Sequence, residues 1–235
     1  MQKKNPFYNP QILTSSPFLS NSIVREKMEA FSKDVSSFIP YIERNDLTIE
    51  EKVEIGNYQD VWPYNVQKRD WSIPIPKNWE DKPWCYVINS SCRFPSFYDS
   101  LNKLEKEIIL KSIAHIDSAI RKSDVSGNRF VYRGISDPSW MKFLDPENDY
   151  TEAAFGSFSL RLESALKYTN SMNPVIFQLQ LSNKMKALYV DEAEYEILRP
   201  RNSVYKIYKI SKKYIQISPN QNKETTIYYL REISM

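Results

Sequence analysis

The character of this 235-residue chain changes at Gly127, and that change limits the folds open to it. Before it, apolar residues recur at helical spacing. After it come short β-rich runs: "RFVYRGI", "GSFSL", "PVIFQLQL", "KALYV", "EYEILRP", "SVYKIYKI", "YIQI" and "TIYYLREI". Helix first and strands after predict an α+β protein, not alternating βαβ units. In the first half, "SNSIVREKMEAFSKDVSSFI" predicts a helix with Ile23, Met28, Phe31, Val35 and Phe38 on one face. "DLTIEEKVEIGNY" predicts another, with Thr48 as N-cap and Glu51 completing a capping box. A long helix is expected over Asp99 to Lys122, where Leu101, Leu104, Ile108, Ile113, Ile116 and Ile120 recur. Between these lies residues 60–84, with four of the five tryptophans and four prolines, which suits neither a long helix nor a regular strand.

Composition excludes several classes. At 41% apolar and 26% charged residues the chain reads as a soluble globular protein. It has no 18-residue apolar run and no Sec-type leader, so no membrane partner and a cytoplasmic setting are expected. Cys85 and Cys92 are too few for a disulfide framework and lack CxxC spacing, and His115 is the one histidine, so no metal is expected. A Ser-His-Asp or Cys-His enzyme would need His115 as base, but its place in the long helix favours packing. The net charge of +3 is uneven. From Ile197 onward eight Lys/Arg face Glu224 and Glu232, so this C-terminal stretch is +6 and the rest −3.

Two local features ask for a reason. There are only four glycines, yet Gly134 and Gly156 sit in strand-like runs, where glycine weakens the strand unless a bulge or close backbone approach needs it. Glu194 and Glu196 are one residue apart, and in extended backbone they would point to the same side. Paired carboxylates repel, and folding gains nothing from them. A solvated strand end is the plain alternative.

Three motifs stand in order: "YRG" (Tyr132, Arg133, Gly134), "FGSFS" (Phe155 to Ser159), and Glu194-Tyr195-Glu196 followed by "ILRPRNSVYKI". Together they resemble the Arg-Ser-Glu branch of the mono-ADP-ribosyltransferases, the clostridial-exoenzyme and arginine-specific type. That pattern has Arg-Gly on the first core strand, then aromatic-x-Ser-Thr-Ser, then Glu-x-Glu. Here Phe158 replaces the threonine, while the first serine is kept as Ser157. Upstream, "LTIEEKVEIGNYQ" resembles the family's first helix. "INSSCR" (Ile88 to Arg93) resembles its Ile-Asn-x-x-Leu-Arg, with Cys92 for leucine. The resemblance runs from about Leu47 to the C-terminus. It implies a helical N-terminal lobe followed by a mixed or antiparallel two-sheet β-sandwich. Residues 1–45 are then an N-terminal helical extension, and 46–235 the catalytic domain with a Trp/Pro-rich insert at 60–84.

The resemblance also implies a reaction: ADP-ribose moves from NAD, used as substrate and without a metal, to a macromolecular target. The breaking bond has oxocarbenium character, which a carboxylate near the ribose stabilises. By the family pattern Glu196 binds the ribose and steadies that cation, and Ser157 orients Glu196. Arg133 meets the NAD phosphates or braces the site, Arg93 is a second phosphate candidate, Gly134 lets backbone approach the nicotinamide, and Tyr168 touches the cofactor. Arg161 or a lysine is available to replace an arginine missing from the following loop. Glu194 is assigned to the target. A guanidinium, with a pKa above about 12, is a poor nucleophile until a carboxylate orients and partly deprotonates it. Tyr189 and Trp62, Trp71 and Trp79 of the insert are assigned to target recognition. A protein arginine is the first reading of the target. A nucleic-acid base is the second, since the tryptophans could stack on bases and the basic C-terminal stretch could follow phosphates. A silent NAD-binding module is the third. A toxin-like enzyme of this kind implies a cognate antitoxin or immunity protein as a further partner.

Overall fold

The protein is described here by a computed structural model covering residues 38–59, 83–144, 146, 149–169, 172–191, 193–218 and 221–233. A single 3-10 turn, Tyr41–Glu43, leads into helix α1, Ile49–Gln59. The capping box forms as expected: Glu51 N donates to Thr48 Oγ1 at 3.2 Å and Thr48 N to Glu51 Oε2 at 2.8 Å. Such a cap contributes about 1 kcal/mol. Helices α2 (Trp84–Arg93), α3 (Pro95–Asp99) and α4 (Lys103–Arg121) complete the lobe. The long helix expected over Asp99 to Lys122 is α4, which starts later, while Asp99 closes the short α3. Asn102 caps α4 through its own box with Glu105, which sets the start of α4 at Lys103. The buried face of α4 is Ile109, Ser112, Ile113, Ile116, Ala119 and Ile120, while Leu104 is exposed. His115 is half-buried on this helix.

Eight strands follow: β1 Arg129–Ile135, β2 Asp149–Glu152, β3 Gly156–Ser159, β4 Val175–Leu181, β5 Leu188–Asp191, β6 Glu196–Arg199, β7 Ser203–Ser218 and β8 Gln221–Glu232, with a short helix α5, Leu162–Leu166, after β3. They are hydrogen-bonded in the order β2-β7-β8-β4-β1-β3-β6-β5, and only β4–β8 is parallel, so the sheet is mixed. The runs "SVYKIYKI" and "YIQI" belong to one strand, β7, because β8 pairs with it along nearly its whole length.

Although the order is continuous, the β1–β3 junction is one residue pair, Tyr132↔Ser159. The sheet bends there and its two arms face each other. Phe158 of β3 meets Tyr205 of β7 edge to face at 6.4 Å, although three strands separate β7 from β3 in the order. Phe158, Ile197 and Tyr189 share one core with Val131, Phe177, Tyr205 and Leu230. Strand alternation sends the next residues the other way: Leu188, Val190 and Leu198 pack with Ile55, Trp84, Ile88, Ile109 and Ile116 of the helices. The two-sided arrangement thus comes from one sheet folded over.

Residues 38–45, the described part of the N-terminal extension, lie on this body. The Phe38 ring is 5.6 Å from Tyr189, and Arg44 bonds Ser123 and the Lys122 carbonyl. The helix expected over residues 20–39 falls, apart from Phe38 and Ile39, outside the described residues. No described helix is long and apolar enough to cross a membrane.

Candidate active site

A cleft of about 320 Å³ opens between the helical lobe and the bend of the sheet. Tyr58, Arg133, Gly134, Ser157, Glu194 and Glu196 are among its walls. The register explains how the strand residues meet. Ser159 pairs with Glu196 and Ser157 with Leu198, so Ser157 and Glu196 are diagonal neighbours on one face, close enough for a long side chain to span. Ser157 Oγ donates to Glu196 Oε1. Phe158, where the resemblance has threonine, points to the opposite face and is buried in the sandwich. An aromatic there fills the core and leaves the cleft wall intact.

Glu194 does not lie on strand β6. It sits in the turn before it, and Tyr195 has a left-handed φ of 53°. The expected same-side pair on an extended strand is therefore replaced by a turn that still brings both carboxylates to the cleft. The end of β3 pins this turn. Ser159 Oγ donates to the Glu194 carbonyl at 2.7 Å, Leu160 N donates to the Tyr195 carbonyl at 2.9 Å, and the Arg161 guanidinium lies 3.5 Å over the Tyr195 ring. Arg161, a candidate substitute for a phosphate-binding arginine, is thus part of the brace. Tyr168 Oη donates to Glu194 Oε1, placing this half-exposed tyrosine beside the second carboxylate.

Gly134 has a local reason. A Cβ at that position would lie 2.1 Å from the Ala165 carbonyl and about 3 Å from Tyr168 backbone. The close backbone approach expected of a ligand is made here by the turn that carries Tyr168. Gly134 still borders the cleft, but the chain itself needs it to be glycine.

Arg133 and Arg93 are joined by a residue that sequence reasoning missed. Glu152, at the end of β2, is 2% exposed and accepts from Arg133 Nη1 at 2.6 Å and Arg93 Nε at 3.0 Å. Burial alone would push its carboxyl up; the Arg133 and Arg93 guanidiniums outweigh that and hold it below the ordinary range. Burial likewise works against the charge on Arg133, and Glu152 more than compensates, leaving the guanidinium more firmly protonated. Arg133 borders the cleft, and Arg93 is tied to it through Glu152. Tyr58 and Asn89 were also not singled out as site residues. Asn89 Nδ2 donates to Tyr58 Oη at 2.8 Å on the helical wall, and burial pushes the Tyr58 phenol well above its usual pKa, so it stays neutral.

Target-recognition expectations fare differently. Tyr189 is 4% exposed and packed in the sandwich interior with its ring tilted against Phe38, because its strand position alternates inward; it cannot face a target. Trp62, Trp71 and Trp79 lie outside the described residues. Trp84, the last tryptophan of that segment, is 1% exposed and packs in the helical lobe. Among the described residues no group of three or more His, Cys, Asp or Glu is placed to hold a metal ion.

Residues 88–230 match the model of the ADP-ribosyltransferase exoenzyme family. Curated proteins give no match. Among solved structures, Plx2a, an ADP-ribosyltransferase toxin from Paenibacillus larvae, is 18% identical with a TM-score of 0.55, covering 89% of this chain and 96% of that one. The C3 exoenzyme of Clostridium limosum is 21% identical with a TM-score of 0.54, covering 88% and 94%. The enzymatic component C2-I of the C2 toxin from Clostridium botulinum is 17% identical with a TM-score of 0.57, covering 82% of this chain but 45% of that one. At these identities the structural likeness is one of fold.

Proposed function

The chain belongs to the ADP-ribosyltransferase exoenzyme family, and from that premise we propose that it modifies an arginine on a protein, with Glu196 serving NAD and Glu194 serving the guanidinium. The enzyme is an NAD-dependent mono-ADP-ribosyltransferase: ADP-ribose passes from NAD to a macromolecular acceptor and nicotinamide leaves. In the proposed step the bond from the ribose anomeric carbon to the nicotinamide nitrogen breaks, and its electron pair stays on nicotinamide. Glu196, turned by Ser157, faces the ribose and stabilises the developing cation. A guanidinium nitrogen of the target then bonds the anomeric carbon and gives a proton to Glu194. Arg133 and Arg93, joined through Glu152, face the diphosphate.

The observation that carries this reading is the pair of carboxylates at one cleft, each held by its own hydroxyl, Ser157 on Glu196 and Tyr168 on Glu194. Separate supports suit separate jobs. A nucleic-acid target is the second reading, favoured by Lys212, Lys213 and Tyr214 standing exposed on β7. Incubation with labelled NAD and cell lysate, followed by protease or nuclease, separates the two. Label lost to protease, kept through nuclease and mapped to arginine supports the proposal; label lost to nuclease sinks it.

A further inference from the structure

Nothing in the sequence marks Glu152, yet four donors converge on its carboxylate. Oε1 accepts from Arg93 Nε at 3.0 Å and from Ala154 N at 3.1 Å; Oε2 accepts from Arg133 Nη1 at 2.6 Å and from Tyr150 Oη at 2.8 Å. A carboxylate offers about four acceptor sites, so this one is saturated. It is almost fully buried, while the side chains of Arg93 and Arg133 keep 32% and 22% of their exposure. The anion is hidden and the two cations reach outward. Each guanidinium has five N–H donors in a rigid fork, and one spent on Glu152 leaves others for a second anion.

We propose that Glu152 is a positioning residue that holds Arg93 and Arg133 together as a preformed clamp for the diphosphate of NAD. The inference rests on the reading that sets these two arginines at the NAD phosphates. Its physical content is preorganisation. Two like charges on flexible stems, one from the end of α2 and one from β1, would separate without an anion between them. A ligand would then have to gather them at the expense of its own affinity. Tyr150 and the Ala154 amide fix the carboxylate in turn, so the clamp is anchored to the sandwich core, where Tyr150 packs against Phe177 and Tyr205. Because Glu152 is aimed at the arginines, its loss should appear in binding of the diphosphate and not in turnover.

The test uses the full chain with Glu152→Gln and Glu152→Asp. ADP-ribose and nicotinamide are titrated separately, and KM and kcat are measured for NAD hydrolysis. The Gln amide keeps the shape but turns an NH2 donor toward a guanidinium, so about a tenfold or greater loss of ADP-ribose affinity is expected. KM for NAD should rise by a similar factor, kcat should stay within about threefold, and nicotinamide binding should not change. Asp keeps the charge next to Arg133 but falls one methylene short, and an intermediate loss is expected. If the Gln variant fails to fold, the Asp variant decides. Adding Arg93→Gln to Glu152→Gln should cost little more than Glu152→Gln alone, because the arginine is already released. ADP-ribose affinity within about twofold of the unaltered chain in a folded variant overturns the inference, as does equal loss of nicotinamide and ADP-ribose. Failure of the unaltered chain to bind ADP-ribose would overturn the phosphate reading itself, and this inference with it.

Discussion

Glu152 and Glu196 both stand at strand ends, Glu152 closing β2 and tied to the cleft through Arg133, Glu196 opening β6 on the cleft wall itself. Their surroundings differ in kind. Glu152 is buried and saturated by two guanidiniums, a phenol and a backbone amide. Glu196 is half-buried, takes a hydroxyl from Ser157, and borders the cavity with Glu194. The buried carboxylate is held in place as an anion and can do little except hold others. The cleft carboxylates are oriented by hydroxyls and remain within reach of a substrate. Burial and cationic partners, rather than the presence of a glutamate, separate scaffold from chemistry here.

The comparison can be broken most sharply at Glu196. Glu196→Gln keeps the shape and removes the negative charge, so both transfer and NAD hydrolysis should fall by several orders of magnitude while NAD still binds in a titration. Turnover close to that of the unaltered enzyme would show that the cleft carboxylate is as passive as Glu152. Glu194→Gln should come next, cutting transfer to the target by on the order of a hundredfold while a slow NAD hydrolysis persists. Parallel loss of both activities would merge the two cleft carboxylates into one role. Ser157→Ala should lower kcat by about tenfold, because Glu196 keeps its charge but loses its orientation.

The smallest effect should be on stability, at the buried end of the comparison. The Glu152 carboxyl is held below its ordinary range, so the unfolded chain binds more protons in that window than the folded one. The stability Glu152 contributes is therefore complete above the usual glutamate pKa of about 4.3 and drains away as pH falls through the lower native value. Chemical denaturation measured across that window should show a steeper acid decline for the unaltered chain than for Glu152→Gln. Identical slopes would mean that the arginines do not hold the carboxyl down.

Much of this was legible in the sequence, for reasons that can be named. The run "RFVYRGI" became β1 residue for residue, because β-branched and aromatic side chains fit a pleated surface. Thr48 and Glu51 announced the start of α1 through a bond that spans three residues. The Ser157–Glu196 bond was expected from the family resemblance, and the pairing of β3 with β6 supplies its geometry. Other features needed contacts that no spacing encodes. Tyr189 looked available to a target and proved buried, since whether an aromatic on a strand faces in or out depends on what the other arm of the sheet brings against it.

By itself, then, the sequence determined the order of helices and strands and the caps, which are written in spacings of two, three and four residues, where backbone geometry acts directly. The carboxylate, serine and arginine assigned to the cleft came from the resemblance of three motifs to a family. Only the tertiary structure decided that Glu194 would leave the strand for a left-handed turn at Tyr195, braced by Arg161 and met by Tyr168 from 26 residues away. It also decided that Glu152 would reach Arg93 across 59 residues and Arg133 across 19. Those partners meet because the sheet bends at a single residue pair and closes on itself, and the closure is set by the packing of two cores and not by any local pattern.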